Sequence, residues 1–168
     1  MLLVSMEIEK LLEIDMKETG VTISNTLTIN VKRDNEEIKL PHHATPGSSG
    51  FDIFTPYDVV LPPGEVTRID TGLRFEIPHG WEIQCRSKSG LASKSIIVAN
   101  SPGTIDSDYR GECSVLLANL AKEPYHLYCG NKIAQLVVAR VHDVSFSEVE
   151  FISTDTIRGG GGFGSTGA

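Results

Sequence analysis

Residues 66–86 read Val-Thr-Arg-Ile-Asp-Thr-Gly-Leu-Arg-Phe-Glu-Ile, then Pro-His-Gly, then Trp-Glu-Ile-Gln-Cys-Arg. β-Branched and aromatic residues spaced by polar ones suit a pleated, half-buried surface, and Pro78-His79-Gly80 interrupts them as a turn. The stretch therefore reads as strand, turn, strand, with strands expected at 66–77 and 81–86. The same signal recurs outward in both directions. From Thr26, Leu27, Ile29 and Val31 alternate with Thr28, Asn30 and Lys32, the period of a half-buried strand. Further strand signals fall at 59–61, 96–99, 113–120, 125–128, 133–141 and 145–151, punctuated by Pro62-Pro63-Gly64, Pro102-Gly103 and Gly130-Asn131. Many short strands without a long internal helix give an all-β domain: a sandwich, barrel or jelly roll. There is no internal repeat.

Residues 1–25 differ from the rest. Val4, Ile8, Leu11 and Leu12 recur at helical spacing among Glu7, Glu9, Lys10 and Glu13, which fits either a short amphipathic helix or a frayed extension. The segment lacks the pattern of a signal or transit peptide, so an intracellular protein, cytoplasmic or nuclear, is expected. The 168 residues suit one domain, and no apolar run reaches membrane-spanning length, so no membrane association is expected. A formal net charge of -7 disfavours nucleic acid as a partner. An anionic substrate would then need a local cluster of cations, a metal ion, or both. Cys85, Cys113 and Cys129 are odd in number and widely spaced, which fits reduced, mostly core thiols rather than a disulfide framework or structural zinc.

Five clusters carry possible chemistry. Gly50-Phe51-Asp52-Ile53 sets a carboxylate at a strand start; a turn cap accounts for it equally well. In Arg86-Ser87-Lys88-Ser89-Gly90-Leu91-Ala92, two cations share one strand face and Ser89 stands where a helical turn could begin, so cations and N–H groups would converge on an anion; the alternative is a solvated edge strand and turn. Residues 103–112, Gly-Thr-Ile-Asp-Ser-Asp-Tyr-Arg-Gly-Glu, crowd carboxylates, a phenol and an arginine into a glycine-bounded hairpin. In Gly130-Asn131-Lys132-Ile133-Ala134-Gln135-Leu136, the glutamine amid apolar residues needs a partner, a backbone group or a ligand. Finally, residues 158–168, Arg-Gly-Gly-Gly-Gly-Phe-Gly-Ser-Thr-Gly-Ala, hold six glycines in eleven residues. Alone they fit a flexible linker; with a ligand, their N–H groups and Arg158 could meet phosphates while Phe163 stacks on a base.

Taken in order, these five clusters resemble the five motifs of the homotrimeric dUTPases, over roughly residues 41–166. The resemblance implies a distorted jelly-roll-like β-barrel subunit in a homotrimer, with active sites at the trimer interfaces and a neighbour's C-terminal arm closing over each. It divides the chain into an extension at 1–25, a β domain at 26–157 and an arm at 158–168. It also implies cleavage of dUTP to dUMP and diphosphate with Mg2+ on the triphosphate. Residue by residue, Asp106 matches the aspartate that activates the attacking water, and Tyr109 the tyrosine that packs on the deoxyribose and excludes a 2′-hydroxyl. Asn100 with Gly103, Thr104 and Ile105 matches the uracil pocket. Lys88, Ser89, Gly90 and Gln135 match phosphate contacts, and Asp52 an aspartate near the metal's waters. Arg158, Phe163, Gly164, Ser165 and Thr166 match the arm. Lys88 departs from the family's usual arginine, and lysine lacks the planar fork that fixes phosphate geometry; Arg86, two residues back, is a possible additional phosphate contact. Two other readings compete. A dCTP deaminase needs a glutamate where this chain has Leu116, which cannot shuttle protons. A non-catalytic nucleotide-binding regulatory member of the fold would be expected to lose Asp106, Tyr109 or the arm, and all are present.

Overall fold

The structure, a computed structural model, describes residues 26–162 and Ser165. The helix or extension expected at 1–25 lies outside the described residues. From there the alternating pattern produces strands β1 (Asn30–Arg33), β2 (Phe51–Phe54), β3 (Val59–Leu61), β4 (Val66–Asp70), β5 (Leu73–Glu76) and β6 (Trp81–Arg86). One helical turn, α1 (Ser89–Ala92), precedes β7 (Ile96–Val98), β8 (Gly103–Ile105), β9 (Ser114–Asn119), β10 (Tyr125–Leu127) and β11 (Lys132–Arg140). The expected all-β class is thus observed. Every pairing is antiparallel, in a four-stranded sheet β2-β11-β6-β8, a three-stranded sheet β4-β9-β7, and the pairs β1-β5 and β3-β10.

Ile53, Leu61, Ile69, Leu73, Ile96, Val115, Leu117 and Ile133 are fully buried at the centre. Each contributes about 1.5–3 kcal/mol through removal of apolar surface from water. Polar side chains enter this core only with partners: Thr71 Oγ1 donates to Cys113 O at 2.6 Å, and Asn119 Nδ2 to Leu61 O and Glu123 O at 2.9 Å. Left unpaired, each such group would cost about 1–3 kcal/mol. In the four-stranded sheet the period of two separates the faces. Ile53, Ala134, Leu136, Ile83 and Cys85 turn inward, while Asp52, Gln135 and Arg86 occupy the other face.

Three strand expectations are corrected. The run 66–77 is two strands: Gly72 takes φ +70°, its N–H is satisfied by Glu112 Oε1 at 2.7 Å, and the chain leaves β4 in one sheet for β5 in another. The first strand is Asn30–Arg33 rather than the alternating run 27–32, with Leu27 and Ile29 half-buried ahead of it along an apolar groove. Residues 145–151 form no strand; Phe146 is 99% exposed, and among the described residues no strand pairs with the segment. Conversely, β8 was hidden in what reads as a hairpin loop. Cys85 and Cys113 are buried free thiols, whereas Cys129 is exposed. Among the described residues no helix is long and apolar enough to cross a membrane.

Candidate functional site

The polar face of the four-stranded sheet opens a cleft of about 280 Å³. Strand register places Asp52, Gln135 and Arg86 side by side, and the chain leaving β6 brings Lys88 beside them. Gln135 Nε2 donates to Ser87 O at 3.0 Å, so a backbone group answers the half-buried amide. Gly50 lies so close to Gln135 Oε1 that a Cβ would stand 2.5 Å from it. Ser87 is pinned in turn, its hydroxyl accepting the Val98 N–H at 2.9 Å. Lys88 is the extended residue capping α1, and the N–H groups of the exposed Ser89 and Gly90 have no acceptor among the described residues. The Arg86 guanidinium donates to Gln84 Oε1, lying flat along the strand.

Asp52 is 4% exposed and sits between two ammonium groups. Lys88 Nζ donates to Oδ1; Lys132 Nζ lies 2.6 Å from Oδ2, pairing by charge off the direction of a well-formed hydrogen bond. Burial pushes the carboxyl's pKa up, but the combined pull of Lys132 and Lys88 outweighs it and holds the group below its ordinary value.

A second cleft, of about 320 Å³, forms where β8 runs into the loop toward β9. It is lined by Asn100, Thr104, Ile105, Asp106, Tyr109 and Leu116, among others. Gly103 packs against the Asn100 side chain, leaving no room there for a Cβ. Asp106 is exposed immediately after β8, and its carbonyl accepts the Tyr109 N–H at 3.2 Å, closing the turn that turns the phenol back. Tyr109 OH donates to Glu112 O at 3.0 Å. Arg68 from β4 also lines the cleft, held by Asp70 at 2.7 Å and Ser114 at 3.2 Å. Sequence reasoning did not find Arg68, because only the β4-β9 pairing brings it to this wall.

The two clefts share no lining residue. One holds Arg86, Lys88 and Gln135 with Ser89 and Gly90 close by; the other holds Asn100, Thr104, Ile105, Asp106 and Tyr109. The described residues of the arm line neither cleft. Arg158 Nε donates to Gly161 O at 2.9 Å and the Ser165 N–H to Gly162 O at 3.0 Å, so the described part folds on itself. Phe163, Gly164 and Thr166 lie outside the described residues. Among the described residues no group of three or more His, Cys, Asp or Glu is placed to hold a metal ion. Both Asp52 oxygens are paired by charge to lysines, Oδ1 to Lys88 and Oδ2 to Lys132.

Residues 36–167 match the family model described as dUTPase. The deoxyuridine 5'-triphosphate nucleotidohydrolase of Chlamydia trachomatis is 53% identical over 131 residues, covering 76% of this chain and 90% of that protein. Among solved structures, a variant of the Staphylococcus bacteriophage 80alpha dUTPase with dUpNHpp superposes with a TM-score of 0.77 at 26% identity, covering 85% of this chain and 100% of that chain. A mutant of the dUTPase from phage phi11 of S. aureus, a structure that details coordination of a structural Mg(II) ion, gives a TM-score of 0.67 at 26% identity over 74% of this chain and 97% of that chain.

Proposed function

The chain belongs to the dUTPase family and is a dUTP nucleotidohydrolase, and from that premise we propose how its residues divide the work. Hydrolysis yields dUMP and diphosphate, which limits uracil incorporation into DNA and supplies dUMP for dTMP synthesis. The observation that carries the division is the presence of two unlike clefts, one cationic and one bearing an exposed carboxylate beside a phenol.

The second cleft takes the nucleoside. Asn100 and the backbone of Gly103, Thr104 and Ile105 read the uracil edge, and Tyr109 packs against the deoxyribose where a 2′-hydroxyl would collide. Asp106 accepts a proton from water as its oxygen bonds to the α-phosphorus and the bridge to the β-phosphate breaks, releasing diphosphate. Leu116 forms part of the wall where a deaminase would need its proton-shuttling glutamate. The first cleft takes the phosphates: Lys88 and Arg86 supply charge, Ser89 and Gly90 supply N–H groups, and Gln135 fixes the loop that presents them. Mg2+ is proposed to arrive on the triphosphate, whose oxygens it neutralises, because Asp52 is committed to lysines and such ions are commonly bound through substrate phosphates.

Because the clefts are separate on one chain, the proposed active site joins the phosphate cleft of one subunit to the nucleoside cleft of another in a homotrimer. The segment 142–157, which joins no strand, with Phe146, Phe151, Ile152 and Ile157 at least 80% exposed, supports this assembly, since such apolar surface is normally covered. Arg158, Phe163, Gly164, Ser165 and Thr166 then close over a neighbour's nucleotide.

Replacing the base tests the assignment. Asp106→Asn is expected to lower kcat by about 10²–10⁴-fold, the range for a general base, while affinity for dUpNHpp stays close to that of the parent. Near-normal turnover would overturn it. Ammonia released from dCTP would instead favour the deaminase reading.

A further inference from the structure

Lys132 belongs to a motif whose glutamine drew attention, yet its position follows from an irregularity in β11. Gln135 pairs with Asp52 and Ala134 with Ile53, but Lys132 pairs with Phe54, so β11 carries one extra residue at Ile133. In an unbroken strand Lys132, three residues from Gln135, would face the opposite side of the sheet. The bulge restores it to the side of Phe54 and Asp52, in keeping with the habit of bulges of re-aiming a side chain beside a functional site. Its ammonium reaches Asp52 Oδ2 at 2.6 Å, while Lys88 holds Oδ1. Lys88 lines the phosphate cleft; Lys132 does not, and its side chain remains 44% exposed. The result is a row, Lys132–Asp52–Lys88, with the carboxylate buried at its centre.

We infer that Lys132 is a positioning residue: it fixes Asp52, and through Asp52 it holds the Lys88 ammonium at the mouth of the phosphate cleft. This rests on the phosphate role given to that cleft above. A flexible lysine with rotatable donors does not set its own direction toward a phosphate as an arginine fork does. The charged row supplies the missing constraint, and it gives Asp52 work that involves no metal ion. Two cations around one anion also leave the row with a net positive charge, so the cleft stays attractive to a polyanion.

The test compares Lys132→Met in two backgrounds, Lys88 and Lys88→Arg, using calorimetric affinity for metal-free inorganic tripolyphosphate together with dUTP kinetics. With Lys88, tripolyphosphate affinity should fall about tenfold and KM for dUTP should rise similarly, kcat changing less than about twofold, as for loss of one charge-assisted contact. With Lys88→Arg the same substitution should cost under about twofold, because the fork orients itself. Adding Lys132→Met to Asp52→Asn should also cost under about twofold, since both break one row. Lys132→Arg should restore affinity. Equal losses in both backgrounds would overturn the inference, as they would mean a direct charge effect. No loss would also overturn it, as would a higher Mg2+ requirement in Asp52→Asn. Tripolyphosphate binding does not depend on the uridine reading: a parent that binds it but spares dUTP would sink the proposed hydrolysis while leaving the row testable.

Discussion

Gly111 sits against the Tyr109 ring: a Cβ there would overlap the phenol oxygen and the adjacent ring carbons, which cannot flex out of the way individually. Gly111→Ala must therefore move the whole ring. Tyr109 is 45% exposed, so the move costs little stability, but it opens the space from which, on the proposed role of Tyr109, a ribose hydroxyl is excluded. The ratio of kcat/KM for dUTP over UTP should fall about tenfold or more, the scale of steric discrimination in a shaped pocket; an unchanged ratio would remove Tyr109 from that role. The buried thiols make a second prediction. Burial pushes Cys85 up from 9.0 to about 11, and burial aided by the nearby Cys85 pushes Cys113 up from 9.0 to about 12. Because the folded values are raised, the unfolded chain ionises first. The stabilisation is fully present below pH 9 and is lost as pH climbs through 11 to 12, at up to about 1.4 kcal/mol per pH unit for each thiol. Plotted against pH above 9, Tm should fall less steeply for Cys113→Ala than for the parent; parallel curves would refute the assignment. At this scale the motifs made Asp106, Tyr109 and Lys88 legible as types in an order. Lys132 and Arg68 were not legible, because their places depend on a bulge and on a strand pairing.

At the scale of elements, alternation revealed where strands run but not where they stop. Gly72 illustrates the difference. Periodicity carries from Ile69 through Ile77 across the glycine, yet φ +70° at Gly72 ends β4, turns the chain and starts β5 in another sheet. A Cβ at Gly72 would also collide with Ile38 Cδ1, a buried side chain packed over the turn. The left-handed conformation costs a non-glycine residue roughly 1–2 kcal/mol and overpacking typically adds 1–3 kcal/mol. Gly72→Ala should therefore lower the denaturant midpoint by the equivalent of about 2–5 kcal/mol at unchanged slope, and a loss below about 1 kcal/mol would mean that the turn adapts freely. Residues 145–151 failed as a strand for the opposite reason. Their composition is right, but a strand needs a neighbour's edge, and sequence periodicity records the side chains' preference without saying which chain supplies the partner. β8 was overlooked because three residues between a cis Ser101-Pro102 bond and Asp106 carry too little pattern to outweigh the turn residues around them.

For the whole molecule, the separation of the clefts makes a statement about assembly that does not depend on any one contact. If one chain supplied both halves of a site, a chain disabled in either cleft would be dead wherever it was placed. If the halves come from different chains, two dead variants can rescue one another. Lys88→Glu reverses charge in the phosphate cleft, and Asp106→Asn removes the base from the nucleoside cleft, so homotrimers of either should be nearly inactive. Refolded together in equal amounts into mixed cyclic trimers, an interface draws an intact phosphate cleft with probability one half and an intact nucleoside cleft with probability one half, so about a quarter of parental activity should return. The recovered activity should appear only after co-refolding and should be absent when the two preformed homotrimers are mixed without refolding. Light scattering on the same sample should give the mass of three chains. A refolded mixture that remains inactive, at the mass of a trimer, would place both halves of the site within a single subunit and overturn the shared-site assembly.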